Sequence, residues 1–154
     1  MFGVSIMDIG KIRVTDRHRI VLGDDNPAIL DTVKRMLEGE FQVVAAIQEP
    51  RAVIKQVPEL NPDVLVLDIS MGEMNGFEIT RQLRADHCQT KIIILSVHEE
   101  LEFIRAAFDA GASGYVFKSR INTDLRKAID AVLNHKVFIP EAPIPQYGLS
   151  GSSS

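Results

Sequence analysis

The chain has 154 residues, of which 45% are hydrophobic and 25% are charged, a composition typical of one globular domain rather than two. A formal net charge of −4 argues against a globally basic nucleic-acid-binding surface, and a single cysteine, Cys88, excludes an internal disulfide framework. No apolar run reaches membrane-spanning length and residues 1–18 are too polar for a secretory signal, so we expect a cytoplasmic protein without a membrane anchor.

Short apolar runs alternate with segments that have helical spacing of apolar residues. Asn26 and Pro27 are typical of a helix start, with Asn as the N-cap and Pro at the first helical position, and Gly39 predicts the end of that helix. Pro58 predicts the end of the second helix. In chain order the elements are strand 19–23, helix 27–38, strand 42–47, helix 51–57, strand 64–67, helix 77–85, strand 91–95, helix 99–110, strand 113–117 and helix 123–134.

Five strand–helix units in series predict an α/β fold with a parallel sheet. The strands are apolar throughout rather than alternating, which indicates a sheet covered by helices on both faces. We expect this domain to occupy residues 19–138. Residues 1–18 read as an N-terminal extension without a clear pattern, and residues 139–154, rich in proline, serine and glycine, read as a linker or an added tail.

Polar side chains follow several of the predicted strands. The first strand delivers Asp24 and Asp25, the third Asp68, the fourth Ser96 and the fifth Lys118. The carboxyl ends of parallel strands lie at one edge of a sheet, where ligands bind in such folds. Close carboxylates repel one another unless a cation lies among them, and Mg²⁺ prefers such oxygen ligands. Taken alone, an aspartate at a strand tip is open to three readings: a structural cap, a metal ligand or a nucleophile.

Four segments, GDDNPAIL, VLVLDISMGEMNGFE, IIILSVH and GASGYVFKS, occur in this order and resemble the receiver domain of two-component response regulators. The resemblance covers residues 19–138 and implies a flavodoxin-like, doubly wound five-stranded parallel sheet, the (βα)5 receiver fold. GYVFKS and AVLNHKVFIP are similar to the NarL/FixJ-type transcriptional regulators, in which a LuxR-type helix-turn-helix follows the receiver. The chain stops where the linker would begin, so we expect a receiver whose output domain is absent.

The resemblance implies a phosphorelay site at the strand ends. Asp68 would be the phosphoacceptor, attacking the phosphoryl group on the phosphohistidine of a sensor histidine kinase. Asp24 and Asp25, together with Asp68 and the backbone carbonyl of Ser70, would hold Mg²⁺. Lys118 would pair with the phosphoryl oxygens.

The resemblance also implies a switch. Ser96 would form a hydrogen bond with the phosphorylated aspartate, and Tyr115 would rotate inward as Ser96 moves. The face formed by the fourth helix, the fifth strand and the fifth helix would then mediate homodimerisation. The output would be transcriptional, with DNA bound only through the absent domain, and the chain itself would be a signalling module rather than an enzyme.

Three positions depart from the usual family pattern. Gly72 stands where proline is common and Asn75 where aspartate is frequent, so we expect the loop after Asp68 to be less fixed. Val97 follows Ser96 in place of a smaller residue, and we expect its branched side chain to narrow access to the phosphoryl group.

Two other classes of function stay open. A stand-alone receiver or pseudo-receiver would act purely as a protein-interaction module, although such a module is expected to have lost an acid or the lysine. A haloacid-dehalogenase-like phosphatase also uses an aspartate nucleophile with Mg²⁺. Those enzymes need a second acid two residues after the nucleophile, and that position is Ser70.

Overall fold

The structure, a computed structural model, describes residues 17–141. The predicted extension 1–18 and tail 139–154 therefore lie almost entirely outside the described residues. The elements follow one another as β1 (Arg19–Gly23), α1 (Pro27–Leu37), β2 (Gln42–Ile47), α2 (Pro50–Leu60), β3 (Val64–Asp68), β4 (Ser70–Met71), β5 (Met74–Asn75), α3 (Gly76–Ala85), β6 (Lys91–Ser96), α4 (Leu101–Ala110), β7 (Gly114–Phe117), a 3-10 turn (Lys118–Arg120) and α5 (Ile121–Leu133).

The predicted fold is confirmed. Five strands form one sheet in the order β2-β1-β3-β6-β7, and every neighbouring pair is parallel. One buried apolar cluster lies between the sheet and α2, α3 and α4, and a second lies between the sheet and α1 and α5. The strand order reverses between β1 and β3, so a crevice opens at the carboxyl ends of these two strands.

The local sequence explains the start of α1. The Asn26 side chain accepts a hydrogen bond from the backbone N–H of Ala28 at 2.9 Å, and Pro27 occupies the first turn, where a missing N–H costs nothing. The apolar stripe then packs against the second cluster through Leu30, Val33 and Leu37. The capped first turn of α1 comes directly after the loop that follows β1. It therefore fixes the position of that loop.

Helix α2 does not end where the sequence predicts. It runs to Leu60 and contains Pro58, which removes one helical hydrogen bond and crowds the carbonyl four residues earlier without ending the helix. Leu60 packs against the first cluster, and the N–H of Asn61 closes the helix on the carbonyl of Val57 at 2.8 Å. Asn61 takes the left-handed conformation, with φ 49°.

Other boundaries differ from the prediction for similar reasons. Helix α4 begins at Leu101 rather than residue 99, because Glu100 is the extended N-cap residue. Helix α5 begins at Ile121, two residues early, since the 3-10 turn leads into it directly. The segment after β3 contains the antiparallel hairpin β4–β5, which sequence periodicity did not predict. Among residues 17–141, no helix has the length and apolar character needed to cross a membrane.

Candidate functional site

Three carboxylates meet at the crevice between β1 and β3. Asp24 and Asp25 follow β1 directly, and Asp68 is the last residue of β3. A carboxylate oxygen from each of the three lies within 4.8 Å of the others. Asp24 and Asp68 are buried, with 3% and 4% of their surface exposed, whereas Asp25 is exposed. The fold thus brings Asp68 next to Asp24 and Asp25, which lie 44 and 43 positions earlier in the sequence.

The local backbone orients the Asp24 carboxylate. Its Oδ1 accepts a hydrogen bond from the N–H of Asn26 at 2.9 Å, and its own N–H donates to the carbonyl of Ile47 at 3.0 Å. The second oxygen, Oδ2, is buried and accepts no hydrogen bond within the described part of the chain. A buried carboxylate oxygen without a donor is costly unless a cation approaches it.

Lys118 supplies one cation at this point. Its Nζ lies 3.1 Å from Oδ2 of Asp24 and 3.2 Å from Oδ1 of Asp68. The first contact is an ion pair by distance, although its geometry does not make a hydrogen bond. Burial lowers the pKa of Lys118, but the two carboxylates outweigh this effect and raise its pKa above the ordinary value. Lys118 is therefore charged at neutral pH.

The single ammonium group does not neutralise the site. The pKa of Asp68 is raised from 3.8 to about 6, because burial and the negative charge of Asp24 raise it more than Lys118 and the backbone of Ser70 lower it. One ammonium group thus faces three carboxylates, and the site carries excess negative charge. This excess fits a divalent cation such as Mg²⁺, which binds carboxylate oxygens.

The loop after Asp68 is organised by two features that sequence reasoning missed. The N–H of Gly76 donates to the carbonyl of Ile69 at 2.7 Å, and a Cβ at Gly76 would lie only 2.6 Å from the carbonyl oxygen of Asp68. A capping box joins Asn75 and Glu78, which exchange side-chain to backbone hydrogen bonds of 2.9 and 3.1 Å. The spacing Asn-x-x-Glu was the available signal for this box. Together they tie α3 to the backbone of Asp68.

Ser96 and Tyr115 are linked through the loop that follows β6. The Oγ of Ser96 accepts a hydrogen bond from the N–H of His98 at 2.9 Å. The hydroxyl of Tyr115 donates to the carbonyl of His98 at 2.8 Å. Tyr115 is fully buried, which raises its pKa, so it already occupies the inward position in this structure.

The geometry and the comparisons with known proteins identify the class of the chain. A family model described as "Response regulator receiver domain" matches residues 20–130, and the chain belongs to this family. It is therefore the receiver domain of a two-component response regulator. Receiver domains work with histidine kinases in signalling, and they bind Mg²⁺ at an acidic pocket. A cluster of three carboxylates, from Asp24, Asp25 and Asp68, is present in this chain.

Curated relatives place the chain near the NarL/LuxR/FixJ-type group. The transcriptional regulatory protein DegU of Brevibacillus brevis is 34% identical over 79% of this chain and 52% of its own length. The probable transcriptional regulatory protein NarL of Mycobacterium tuberculosis is 29% identical over 81% of this chain and 59% of its own length. The chain thus spans little more than half the length of these relatives.

Solved structures agree with the fold. A two-component response regulator of the LuxR family from Aurantimonas sp. SI85-9A1 superposes with a TM-score of 0.78 at 31% identity, covering 90% of this chain and 99% of that one. The isolated REC domain of RcsB from Salmonella enterica serovar Typhimurium, in the presence of phosphomimetic BeF3⁻, gives a TM-score of 0.74 at 28% identity, covering 81% and 94%.

Proposed function

We propose that Asp68 accepts a phosphoryl group from the phosphohistidine of a sensor histidine kinase, and that the phosphorylated receiver controls a DNA-binding transcriptional output. The observation that carries this proposal is the position of Lys118, whose Nζ lies within 3.2 Å of both Asp24 and Asp68. A lysine placed between a buried metal ligand and a buried nucleophile is suited to a phosphoryl group bound at the same place.

The transfer is an in-line displacement. An Asp68 carboxylate oxygen forms a bond to phosphorus as the nitrogen–phosphorus bond of the donor breaks, and the bonding electron pair returns to the imidazole nitrogen. Because the pKa of Asp68 is about 6, the carboxylate is mostly ionised and nucleophilic at neutral pH. Lys118 offers its ammonium protons to the phosphoryl oxygens, and the Ser96 hydroxyl donates to one of them in this proposal.

The same residues account for a metal requirement. Asp24, Asp25 and Asp68, with the backbone carbonyl of Ser70, hold Mg²⁺ in this proposal. When bound, Mg²⁺ supplies positive charge that offsets the carboxylates and the incoming phosphoryl oxygens. The close approach of three carboxylates to a single ammonium group supports this assignment.

The output is proposed from the relatives. DegU and NarL are named transcriptional regulators and are nearly twice the length of the matched region. A solved structure shows two RcsB dimers bound to two parallel DNAs. We propose that phosphorylation, read through Ser96 and Tyr115, favours a homodimer through the face formed by α4, β7 and α5, and that DNA is bound by an output domain.

Labelling with acetyl phosphate and Mg²⁺ tests the acceptor. Intact mass should show an adduct of one phosphoryl group that is lost rapidly both in base and in strong acid, as expected for an acyl phosphate. Asp68→Asn should abolish the adduct, and Asp109→Asn, an exposed aspartate in α4, should retain it. A wild-type chain that binds Mg²⁺ but never gains the adduct would favour a pseudo-receiver that acts as a protein-interaction module.

A further inference from the structure

The chain stays in contact with the sheet after α5 ends. His135 takes the left-handed conformation, with φ 61°, and its N–H donates to the carbonyl of Val132 at 3.1 Å. The N–H of Lys136 reaches back to the carbonyl of Ala131 at 2.9 Å. This pair of bonds is the Schellman pattern, which reverses the chain at a helix end. It directs the following residues to the free edge of β7.

Residues 137–140, here called the strap, pair with that edge. Phe138 forms a parallel bridge with Gly114. The N–H of Phe138 donates to the carbonyl of Ser113 at 3.0 Å, and the N–H of Tyr115 donates to the carbonyl of Phe138 at 3.0 Å. One backbone hydrogen bond of the strap is therefore made by the tyrosine itself.

The side chains of the strap alternate as those of a strand do. Val137 and Ile139 are each 61% exposed, whereas Phe138 is half-buried against the second apolar cluster and Pro140 is buried. Phe138 lies directly beside Gly114, since a Cβ at position 114 would be in ordinary van der Waals contact, 3.5 Å, with the Cβ of Phe138. The strap is thus a packed element of the fold.

The parallel bridge is isolated and stops at Pro140, which has no N–H to donate. The strap therefore holds Tyr115 through the backbone, by the hydrogen bond from the N–H of Tyr115 to the carbonyl of Phe138. The Tyr115 ring itself packs in the first apolar cluster, while Phe138 packs against the second, on the other face of the sheet.

We propose that docking of the strap on β7 holds Tyr115 in its buried position, so that the segment after α5 biases the switch of the receiver. A series of hydrogen bonds joins the strap to the site. The hydroxyl of Tyr115 donates to the carbonyl of His98, and the N–H of His98 donates to the Oγ of Ser96. The regulatory meaning of this device rests on the proposed function. Coupling is reciprocal, so a phosphoryl group that favours buried Tyr115 also tightens the strap.

Fluorine NMR of the protein labelled with 3-fluorotyrosine tests the inference without any ligand. The chain has two tyrosines, so a Tyr147→Phe background leaves Tyr115 as the only reporter. We expect one buried resonance in this background. Phe138→Ala, which weakens docking of the strap, should add a solvent-exposed resonance from about a tenth of the molecules or more.

Val137→Ala is the matched control, because Val137 is an equally exposed apolar residue of the same strap. It should leave the Tyr115 resonance unchanged, and Phe138→Leu should restore the buried signal. Amide spectra of β1 and β3 report that each variant is folded. The inference is wrong if Phe138→Ala does not expose Tyr115, or if Val137→Ala exposes it equally.

Beryllofluoride with Mg²⁺ then separates this inference from the proposed function. We expect it to return the exposed resonance of Phe138→Ala to the buried position, but not when Asp68→Asn is added. If Phe138→Ala exposes Tyr115 and beryllofluoride has no effect with Asp68 present, the strap holds the tyrosine but the phosphoryl-site proposal fails.

Discussion

Lys118 and Asp68 form an ion pair in which Nζ lies 3.2 Å from Oδ1, and the same ammonium lies 3.1 Å from Oδ2 of Asp24. One positive charge therefore serves two buried carboxylates, with the exposed Asp25 beside them. The pKa of Asp68, raised to about 6 by burial and by Asp24, reports the remaining imbalance. The folded receiver is thus destabilised by the charge imbalance at its own site.

Asp68→Asn should stabilise the protein at neutral pH in the absence of Mg²⁺. The folded-state pKa of Asp68, about 6, lies above its ordinary value of 3.8, so this group favours folding below the ordinary value and loses that contribution as pH rises through 6. A shift of this size corresponds to about 2–3 kcal/mol. Urea unfolding should therefore give Asp68→Asn a larger free energy of unfolding than the wild type at about pH 7.5, and a similar one at about pH 4.

The control for this experiment is Asp109→Asn, which changes an exposed aspartate in α4. It should shift the free energy of unfolding little at either pH. A wild-type chain that is as stable as Asp68→Asn near neutral pH would contradict the electrostatic account. Saturating Mg²⁺ should narrow the difference, because a bound cation offsets the same repulsion.

Asp25→Ala should weaken Mg²⁺ binding by about tenfold or more, because one anionic ligand is lost. The exposed position of Asp25 means that the fold should be little affected. Phosphorylation by acetyl phosphate should slow in parallel. Titration of an NMR or fluorescence signal with Mg²⁺ measures the affinity, and Asp109→Ala is the control. Unchanged Mg²⁺ affinity would remove Asp25 from the ligand set.

Gly76→Ala should cost about 1–3 kcal/mol of stability, because its Cβ would lie 2.6 Å from the carbonyl oxygen of Asp68, where rigid backbone must move. The displaced backbone should also slow labelling of Asp68. Gly39→Ala is the matched control, since a Cβ there has no atom within 4 Å among the described residues. Urea unfolding measures the free energies of unfolding of Gly76→Ala and Gly39→Ala. Equal values would show that the backbone after Asp68 can move to accept the added Cβ.

Val97→Ala should shorten the lifetime of the phosphorylated state. Val97 follows Ser96 and is 68% exposed, and we expect its branched side chain to lie beside the path of the water that attacks phosphorus. A steric penalty of about 1.4 kcal/mol would make hydrolysis about tenfold slower in the wild type. Phosphate release at saturating Mg²⁺ measures the rate.

Leu101→Ala is the control for Val97, because Leu101 is a comparably exposed apolar residue at the start of α4. Its phosphate release should match that of the wild type. Equal rates for the wild type and Val97→Ala would mean that another residue, such as His98 or Ser70, sets the lifetime.

Several features could be predicted from the sequence because they depend on local patterns. Apolar runs of strand length and helical spacing predicted the five strands of the main sheet and the five helices, and their order confirmed the doubly wound fold. The predicted helix boundaries were wrong where packing of side chains outweighed local helix propensity. Pro58 did not end α2, because Leu60 still packs against the core. The hairpin β4–β5 is too short for periodicity to register.

The sequence by itself determined which reactive groups stand at the strand ends: Asp24, Asp25, Asp68, Ser96 and Lys118. The tertiary structure alone decided that Lys118 reaches two carboxylates, that Asp68 is buried enough for its pKa to rise, and that the strap reaches Tyr115. Desolvation and charge interactions depend on distances between residues far apart in the chain. Such distances exist only once the parallel strands have paired and the helices have covered them.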